Sequence, residues 1–412
     1  MSLLPYDPQT RRLSIDPRDD GFVQDPYPTY AALHAESADH GPVVYWEAYG
    51  HWVFGGLAAV NALFRDRRLG RQILHCTTRK ALGWDEPQPH TADFDAIDAR
   101  SLLELEPPDH TRLRGLINRA FVSRHVEALG PEIAAKTNNA MDTFDDAPDL
   151  LAAFAEPIAG NTIARMLGID LVHVPQLLAW SHDMVQMYAF GRDRDVEDAA
   201  NTAARDFTAF VRKEIAKRRA APGTDLLTHL ITAHEAQDRL TEDEIISTTI
   251  LLLNAGHEAT VHAMGNGLRT LFQSSPEDRQ AWISDPESMT EEILRHTPPL
   301  HMFMRYVLED CELYGVPFKQ GDVIGLHLGL ANHDPRAMPD PGRFDPTRTP
   351  VKNVAFGAGI HFCIGHTLAR LEMATAIPML FARFPNMRMA ETPRFKNAYH
   401  FHGLESLRVH LE

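Results

Sequence analysis

The feature that most constrains the fold is a long helical segment near the middle of the chain. Thr241 and Glu244 form a capping box, in which each side chain satisfies a free amide at the start of a helix. Apolar residues at helical spacing then continue through Ile245–Phe272, roughly thirty residues, which is long for a globular protein. The sequence therefore predicts one long central helix.

The middle of this helix is unusual in composition. After the apolar run Ile250–Leu253 come small and polar residues, namely Asn254, Gly256, His257, Glu258 and Thr260. A glycine inside a helix costs about 1 kcal/mol relative to alanine and needs a packing or functional reason. Either something flat or wet lies against this stretch, or the helix reaches the surface there. The segment alone leaves both interpretations open.

The rest of the chain predicts a mainly α protein with a small, discontinuous β portion. Helical spacing dominates between about residues 56 and 289, in Glu127–Phe144, Leu150–Leu167, Val174–Phe190 and Val196–Arg219. Val43–Phe54 is typical of a β-hairpin around Gly50, Tyr306–Leu330 contains short β-like runs, and a last helix is expected from near Cys363 to about Phe384. Without a repeat or linker, residues 1–412 are interpreted as a single domain.

Charge and composition exclude several classes of protein. The 412 residues carry a formal net charge of -16, which argues against non-specific binding of nucleic acid. The N-terminus is polar, and no uncharged apolar run reaches the roughly 18 residues of a membrane helix. Three cysteines are too few for a disulfide framework. We therefore expect a cytoplasmic protein that does not bind a membrane.

The segment Phe356–Arg370, FGAGIHFCIGHTLAR, carries the clearest chemistry. Gly357 and Gly359 allow a tight turn with positive φ, and Gly365 allows another backbone to approach closely. Cys363 stands at the start of a helix, where free amides and the dipole lower the pKa of a thiol. Such a turn suits a metal-bound thiolate, and a cysteine ligand on haem iron favours cleavage of the O–O bond.

Other roles for a cysteine fit this position less well. A lone cysteine is most often a small buried hydrophobic residue, and we interpret Cys76 and Cys311 in that way. For Cys363 that explanation makes the flanking glycines, phenylalanines and His361 coincidental. A zinc site lacks a CxxC partner, and a nucleophilic cysteine lacks an obvious base.

The pattern Phe356-Gly357-x-Gly359-x-His361-x-Cys363-x-Gly365 resembles the haem-binding loop of the cytochrome P450 superfamily. Three further blocks resemble that family in the expected order, namely Ala255–Glu258, Glu292–Arg295 and Pro341–Asp345. The resemblance implies a cytochrome P450 fold of the soluble bacterial type, with a long central helix over a buried haem. It implies a haem b cofactor whose iron is bound by Cys363.

The resemblance also implies roles for individual residues. It assigns the haem propionates to His110, Arg114, Arg305 and His361, and it makes Ala255 and Phe356 further contacts of the cofactor. Arg is suited to this task because its planar fork binds a carboxylate bidentately. The resemblance further implies a buried structural network in which Arg343 joins Glu292 and Arg295.

One residue departs from the family pattern. In most of the family a threonine follows the acid of the central helix, whereas here Ala259 follows Glu258 and the threonine comes next, at Thr260. Thr260 lies about 100° further round the helix than Ala259. We therefore expect protons to reach oxygen through Glu258, ordered water and either Thr260 or a substrate hydroxyl. His257 is a weaker candidate, because its position faces away.

The function implied is insertion of one oxygen atom from O2 into a small, apolar organic substrate. The chain has no flavin or nicotinamide segment, so we expect electrons from a ferredoxin fed by a ferredoxin reductase. The docking patch is predicted at Arg112, Arg119, Lys352 and Arg370, and the substrate pocket at Phe94, Met184, Met187, Tyr188, Met302 and Phe303. A peroxide-driven oxygenase and a haem-based gas sensor are the alternatives.

Overall fold

The predicted central helix is the longest element of the computed structural model, in which it runs from Glu242 to Gln273 over 32 residues. Its capping box forms as expected, with the Thr241 side chain accepting from the Glu244 amide and the Glu244 side chain accepting from the Thr241 amide. The structure describes residues 5–37, 39–118, 121, 126–237, 240–399 and 401–412, without the side chains of 233–237. Most side chains of this helix are buried.

Helices make up most of the molecule, which confirms the mainly α prediction. Two are named here: the flanking helix is Val174–Val185, and the cysteine helix is His366–Arg383. The other helices are Asp20–Gln24, Tyr27–Ala35, Leu57–Leu63, Arg79–Leu82, Ala92–Asp98, Asp109–Ile117, Gly130–Asp142, Glu156–Met166, Arg194–Ala220, Leu226–Gln237, Pro276–Ile283, Pro286–His296 and Leu328–Ala331.

Two predicted helices are interrupted in the structure. The segment predicted as Leu150–Leu167 begins with a π-helical turn, Leu151–Ala155, before the regular helix Glu156–Met166. The flanking helix ends at Val185 and continues as a 3-10 turn, Gln186–Tyr188. Apolar spacing alone does not distinguish these turns from a regular helix, because both keep side chains on one face.

The β portion is small and discontinuous, as predicted. Its strands are β1 (Tyr6–Asp7), β2 (Arg12–Leu13), β3 (Val43–Trp46), β4 (His51–Phe54), β5 (Leu69–Gly70), β6 (Met302–Val307), β7 (Cys311–Leu313), β8 (Val316–Phe318), β9 (Val323–His327), β10 (Arg388–Met389) and β11 (Val409–His410). Strands β3 and β4 form the predicted antiparallel hairpin, and Gly50 in its turn has φ of 69°.

Seven strands form one sheet in the order β1-β2-β3-β4-β9-β6-β5. The N-terminal hairpin joins the strands after residue 300 through parallel pairing of β4 with β9, in which Val53 lies opposite Gly325. Strand β6 pairs with β9 and β5 on its two sides. The end of the predicted β-like run, Leu328–Ala331, is a helix. The sheet thus places β6, with Arg305, beside segments from both ends of the chain.

Glycines in the central helix allow close packing of its neighbours. A Cβ on Gly256 would lie 2.9 Å from Cγ1 of Ile163, and one on Gly267 would lie 2.8 Å from Cδ1 of Ile293. Gly256 is therefore explained by contact with the helix Glu156–Met166. His257, Glu258 and Thr260 are buried in this stretch, whereas Ala255 is exposed. Within the described ranges, no helix is long and apolar enough to cross a membrane.

Candidate active site

The loop before Cys363 is a tight turn, as its glycines predict. Gly357 and Gly359 have φ of 66° and 72°, and a Cβ on Gly359 would lie 2.2 Å from the backbone oxygen of Phe64. The amide of Cys363 donates to the carbonyl of Phe356 at 3.0 Å, which closes the turn. Gly365 differs from the expectation, because a Cβ there would meet only Sγ of Cys363, at 4.0 Å, and no neighbouring backbone.

The Cys363 thiol lies just before the cysteine helix, which begins at His366. Burial raises the pKa of this thiol, although the amide of Gly365 and the charges of Arg114 and Arg370 act in the opposite direction. The expected lowering by the helix start is thus outweighed by loss of solvent. A thiol in these surroundings becomes a thiolate when a bound metal ion supplies positive charge.

Four predicted residues gather near this loop. The His110 and His361 rings lie 4.5 Å apart between centroids. Arg114 Nη2 donates to the carbonyl of Phe362 at 2.5 Å, next to Cys363. Arg305 on β6 is 4% exposed, and its guanidinium lies 5.1 Å above the Phe64 ring. The structure therefore brings together all four, from three distant segments of the chain.

This group carries more positive than negative charge. Burial lowers the pKa of Arg305 to about 9, and the neighbouring Arg71 adds to this shift. In the described part of the chain, neither Arg114 nor Arg305 forms a salt bridge with a carboxylate. His110 Nε2 is buried without a hydrogen-bond partner among the described residues, and burial lowers the pKa of His110 to about 4. Buried cations and an unsatisfied imidazole nitrogen indicate a site for carboxylates.

Glu106 is a member of this group that the sequence did not reveal. Its Oε1 accepts from the Arg71 amide at 2.6 Å and lies 3.3 Å from Nε2 of His361. Burial opposes its ionisation, but these contacts outweigh burial and lower the pKa of Glu106. The available signal was an acid directly before Pro107-Pro108 and four residues before His110.

One face of the central helix is more accessible than the rest in the middle of the helix, and we call it the open face. Ala255 on this face is exposed, and Leu251 and Ala259, one turn before and after it, are half-buried. Glu258 and Thr260 are buried, at 9% and 5% exposure. The open face therefore has no hydroxyl or acid at these three positions.

Three imidazoles surround the Glu258 carboxylate. Nε2 of His262 lies 3.4 Å from it, Nε2 of His257 3.6 Å, and Nδ1 of His182 3.8 Å. Burial opposes ionisation of Glu258, but the three imidazoles together outweigh burial and lower its pKa. His257 thus contacts Glu258 from within the central helix. The contacts of His182 and His262 with Glu258 were not predicted. His182 lies on the flanking helix, and helical spacing alone did not identify His262 as a partner of Glu258.

A buried ion network supports the loop. Nε and Nη2 of Arg295 each donate to a Glu292 carboxylate oxygen at 2.7 Å, as expected. The third member is Arg348, whose Nε lies 3.0 Å from Oε1 of Glu292. The assignment of Arg343 to this role is wrong, since Arg343 takes part through its backbone carbonyl, which accepts from Arg295 at 3.2 Å and from Arg348 at 2.7 Å.

Comparison with known proteins decides the family. The family model for Cytochrome P450 matches residues 287–402. Cytochrome P450 107B1 of Saccharopolyspora erythraea is 34% identical over 402 residues, which are 95% of this chain and 96% of that protein. The chain belongs to the cytochrome P450 family. This membership confirms the resemblance drawn from the cysteine loop.

Further relatives confirm the P450 fold and the class of reaction. The 6-deoxyerythronolide B hydroxylase of the same organism is 33% identical over 411 residues, covering 96% of this chain and 98% of that protein. A solved structure of P450BioI in complex with an acyl carrier protein ligated to hexadec-9Z-enoic acid has a TM-score of 0.87 at 31% identity, covering 95% of this chain and 100% of that chain. The present chain is therefore a haem-thiolate monooxygenase that receives electrons from a redox partner.

Proposed function

We propose that Cys363 is the thiolate ligand of a haem b in this P450. Of the three cysteines, Cys76 is exposed and Cys311 lies in β7, on a separate two-stranded sheet. Only Cys363 stands in a glycine turn with its amide bound within the turn and cationic groups nearby. Such a haem would supply the iron chemistry that activates O2 for cleavage of its O–O bond.

The cluster of His110, Arg114, Arg305 and His361 would hold the two propionates of that haem. The observation that supports this assignment is the lack of carboxylate partners for Arg114 and Arg305 in the described structure, together with the unsatisfied Nε2 of His110. Phe356 in the turn and Ala255 on the exposed face of the central helix would contact the macrocycle. Glu106 would orient His361 rather than bind the cofactor.

Glu258 and Thr260 are the residues that we assign to proton supply. Oxygen insertion consumes protons as well as electrons, because one atom of O2 leaves as water. Glu258 is held anionic by its imidazoles, so it would carry a proton only transiently, when these contacts change. Thr260, two residues after Glu258, is buried and lies about 100° round the helix from Ala259. Water would complete the path, because neither side chain lies on the open face.

The electron donor would be an acidic ferredoxin served by a ferredoxin reductase. The patch expected for its docking is weaker than predicted, since Arg112 pairs with Glu244 and Asp109, and Arg370 pairs with Glu291. Arg119 lies outside the described residues, and Lys352 is exposed. Ile360, 46% exposed in the cysteine turn itself, gives this surface an apolar centre.

The substrate would be a small, apolar molecule, and the whole chain would act as one domain in the cytoplasm. Contacts between distant segments support one domain; for example, the amide of Leu150 donates a hydrogen bond to the carbonyl of Leu407 at 2.9 Å. Of the predicted pocket residues, Phe94, Met184, Met187 and Met302 are buried, whereas Tyr188 is 38% exposed and Phe303 is half-buried. Tyr188 and Phe303 are therefore the better placed to meet a substrate.

Reduced-CO difference spectroscopy of the purified haem protein tests the ligand. The thiolate band is expected, and its absence in freshly reduced protein contradicts the assignment of Cys363.

Turnover with NADH, ferredoxin and reductase is then compared with turnover on hydrogen peroxide. The absence of a hydroxyl from Ala259 favours a peroxide-driven reaction as the second candidate. Product with peroxide but none with the electron chain would select that candidate.

A further inference from the structure

The flanking helix packs along the side of the central helix that carries Glu258. Asn254 Nδ2 lies 3.8 Å from Sδ of Met184, and one turn later Glu258 lies 3.8 Å from Nδ1 of His182. Two successive turns of the central helix thus meet the last turn of the flanking helix. The position of His182 beside Glu258 therefore follows from helix packing.

The three imidazoles around Glu258 differ in their access to solvent. The side chains of His257 and His262 are each 5% exposed, and that of Glu258 is 12% exposed. The side chain of His182 is 53% exposed. Of the three imidazoles, His182 alone touches both bulk water and the buried carboxylate.

We propose that His182 passes protons from solvent to Glu258, as a positioning residue for the oxygen-insertion reaction. The inference rests on the proposed role of Glu258. In this step the His182 imidazolium gives its Nδ1 proton to the Glu258 carboxylate as the carboxylate passes it onward. The neutral ring then takes up a proton from hydronium or a buffer acid at its exposed edge, and no electrons move. A shift of about 1 Å brings the two groups from 3.8 Å to hydrogen-bonding distance.

His257 is held by its own helix. Its Nδ1 lies 2.9 Å from the carbonyl of Leu253, and because a carbonyl only accepts, Nδ1 is the donor. Its Nε2 lies 3.6 Å from Glu258. His262 contacts Glu258 through Nε2, while its Nδ1 is packed against Gly403.

The charges around His182 favour its protonated form. Contact with Glu258 raises the pKa of His182, burial and Lys396 act against this, and Asp183 supports it. His257 and His262 face Glu258 from its own helix. The proton-donating form of His182 is present below its pKa and lost as pH rises through it. Proton supply through His182 should therefore weaken on the alkaline side.

An arginine in place of His182 separates proton transfer from simple charge pairing. His182→Arg keeps a positive charge beside Glu258 but cannot release a proton near neutral pH. His173→Arg is the matched control, because His173 precedes the same helix and packs against Phe210 instead. The concentration of haem-loaded enzyme is determined from the intensity of the reduced-CO band, so that the variants are compared at equal amounts of holoenzyme. The readouts are product per NADH, its pH profile and the solvent deuterium isotope effect on kcat.

We expect His182→Arg to lower kcat by roughly 10-fold, below the 100-fold or more of a fully lost acid catalyst, since water still reaches Glu258 slowly. The isotope effect should rise and the alkaline decline in product per NADH should disappear, while His173→Arg behaves as wild type. Equal behaviour of His182→Arg and wild type in all three readouts overturns the proposal. So does an equal loss in both variants, which marks a surface-charge effect.

A double variant covers the case in which His182→Arg folds poorly. In a Glu258→Gln background, His182→Arg should cause no further loss, because the path is already broken; an added independent loss overturns the inference. The proposed function fails separately: wild-type holoenzyme with a thiolate band but no product under O2 overturns both. Active wild type with an unaffected His182→Arg variant overturns the inference alone.

Discussion

The cysteine loop and the Glu258 region are held in different ways. Around Cys363 the short contacts involve backbone atoms, including the Cys363 amide to Phe356 at 3.0 Å and Arg114 to the Phe362 carbonyl at 2.5 Å. Around Glu258 the contacts join titratable side chains at 3.4 to 3.8 Å. Backbone contacts fix a geometry at any pH, whereas imidazole contacts change with protonation. The fixed contacts of the cysteine loop thus suit the binding of a cofactor, and the titratable contacts of the Glu258 region suit the exchange of protons.

The largest effect is expected at the ligand itself. Cys363→Ser should abolish the thiolate band of the reduced-CO spectrum and lower turnover by more than about 100-fold, the upper end of losses for groups that only support a metal ligand. Cys76→Ser, at an exposed position, should match wild type. A persistent thiolate band in the Cys363 variant would show that the cysteine loop is not the binding region.

The next largest effect is a loss of stability, and it should differ between two arginines near Glu292. Arg348→Ala should destabilise the protein by about 3–5 kcal/mol, because it leaves the buried Glu292 carboxylate one cation short. Arg343→Ala should cost under about 1 kcal/mol, since Arg343 contributes only its backbone carbonyl. Urea unfolding of the two haem-loaded variants measures both. Equal losses would contradict the assignment of Arg348.

A buried histidine next to the Glu258 region should make the fold sensitive to acid. Burial lowers the pKa of His402 to about 4, and its Nε2 donates to the carbonyl of Val23 at 2.8 Å. The unfolded chain binds this proton near pH 6.5 and the folded chain does not. Stability from His402 is therefore present above pH 6.5 and falls by about 1.4 kcal/mol per pH unit down to pH 4.

Urea unfolding between pH 7 and pH 4 measures this slope. His402→Gln should make the slope shallower, whatever it does to stability at pH 7. His410→Gln, at an exposed position, should leave the slope unchanged. An unaltered slope in the His402 variant would remove this source of acid sensitivity.

The smallest effect is expected where a hydroxyl is added to the open face of the central helix. Ala259→Thr should raise product per NADH, by less than the roughly 100-fold of a fully positioned acid, because Glu258 is already proposed to supply protons. The change sharpens the comparison, since it alters the Glu258 region and leaves the cysteine loop intact. If product per NADH stays constant, the missing hydroxyl does not limit the reaction.

The sequence predicted the cysteine loop well because its contacts are local. The glycines, Phe356 and Cys363 lie within one short segment, so their spacing encodes the turn. It also predicted the central helix and its capping box, because helical periodicity and caps are local signals. The discontinuous sheet followed from two separate β-like regions.

Contacts between distant segments were harder to predict. The choice between Arg343 and Arg348 depends on how an irregular segment turns back on Glu292, and that segment has no periodicity to read. His182 meets Glu258 because two helices cross, which spacing within either helix does not reveal. Glu106 joins the site through the backbone amide of Arg71, a contact that leaves no pattern in side-chain types.

Gly256 has a consequence for the size of the reaction space. Because Gly256 has no side chain, Ile163 can approach the central helix closely. Contact with the helix Glu156–Met166 therefore helps to determine the position of the central helix. A methyl group at this position must push either Ile163 or the central helix aside. If the central helix moves, Ala255 and Ala259 move with it, and the open face that they form is displaced. A substitution at Gly256, which contacts Ile163, can therefore alter the open face without changing any residue on it.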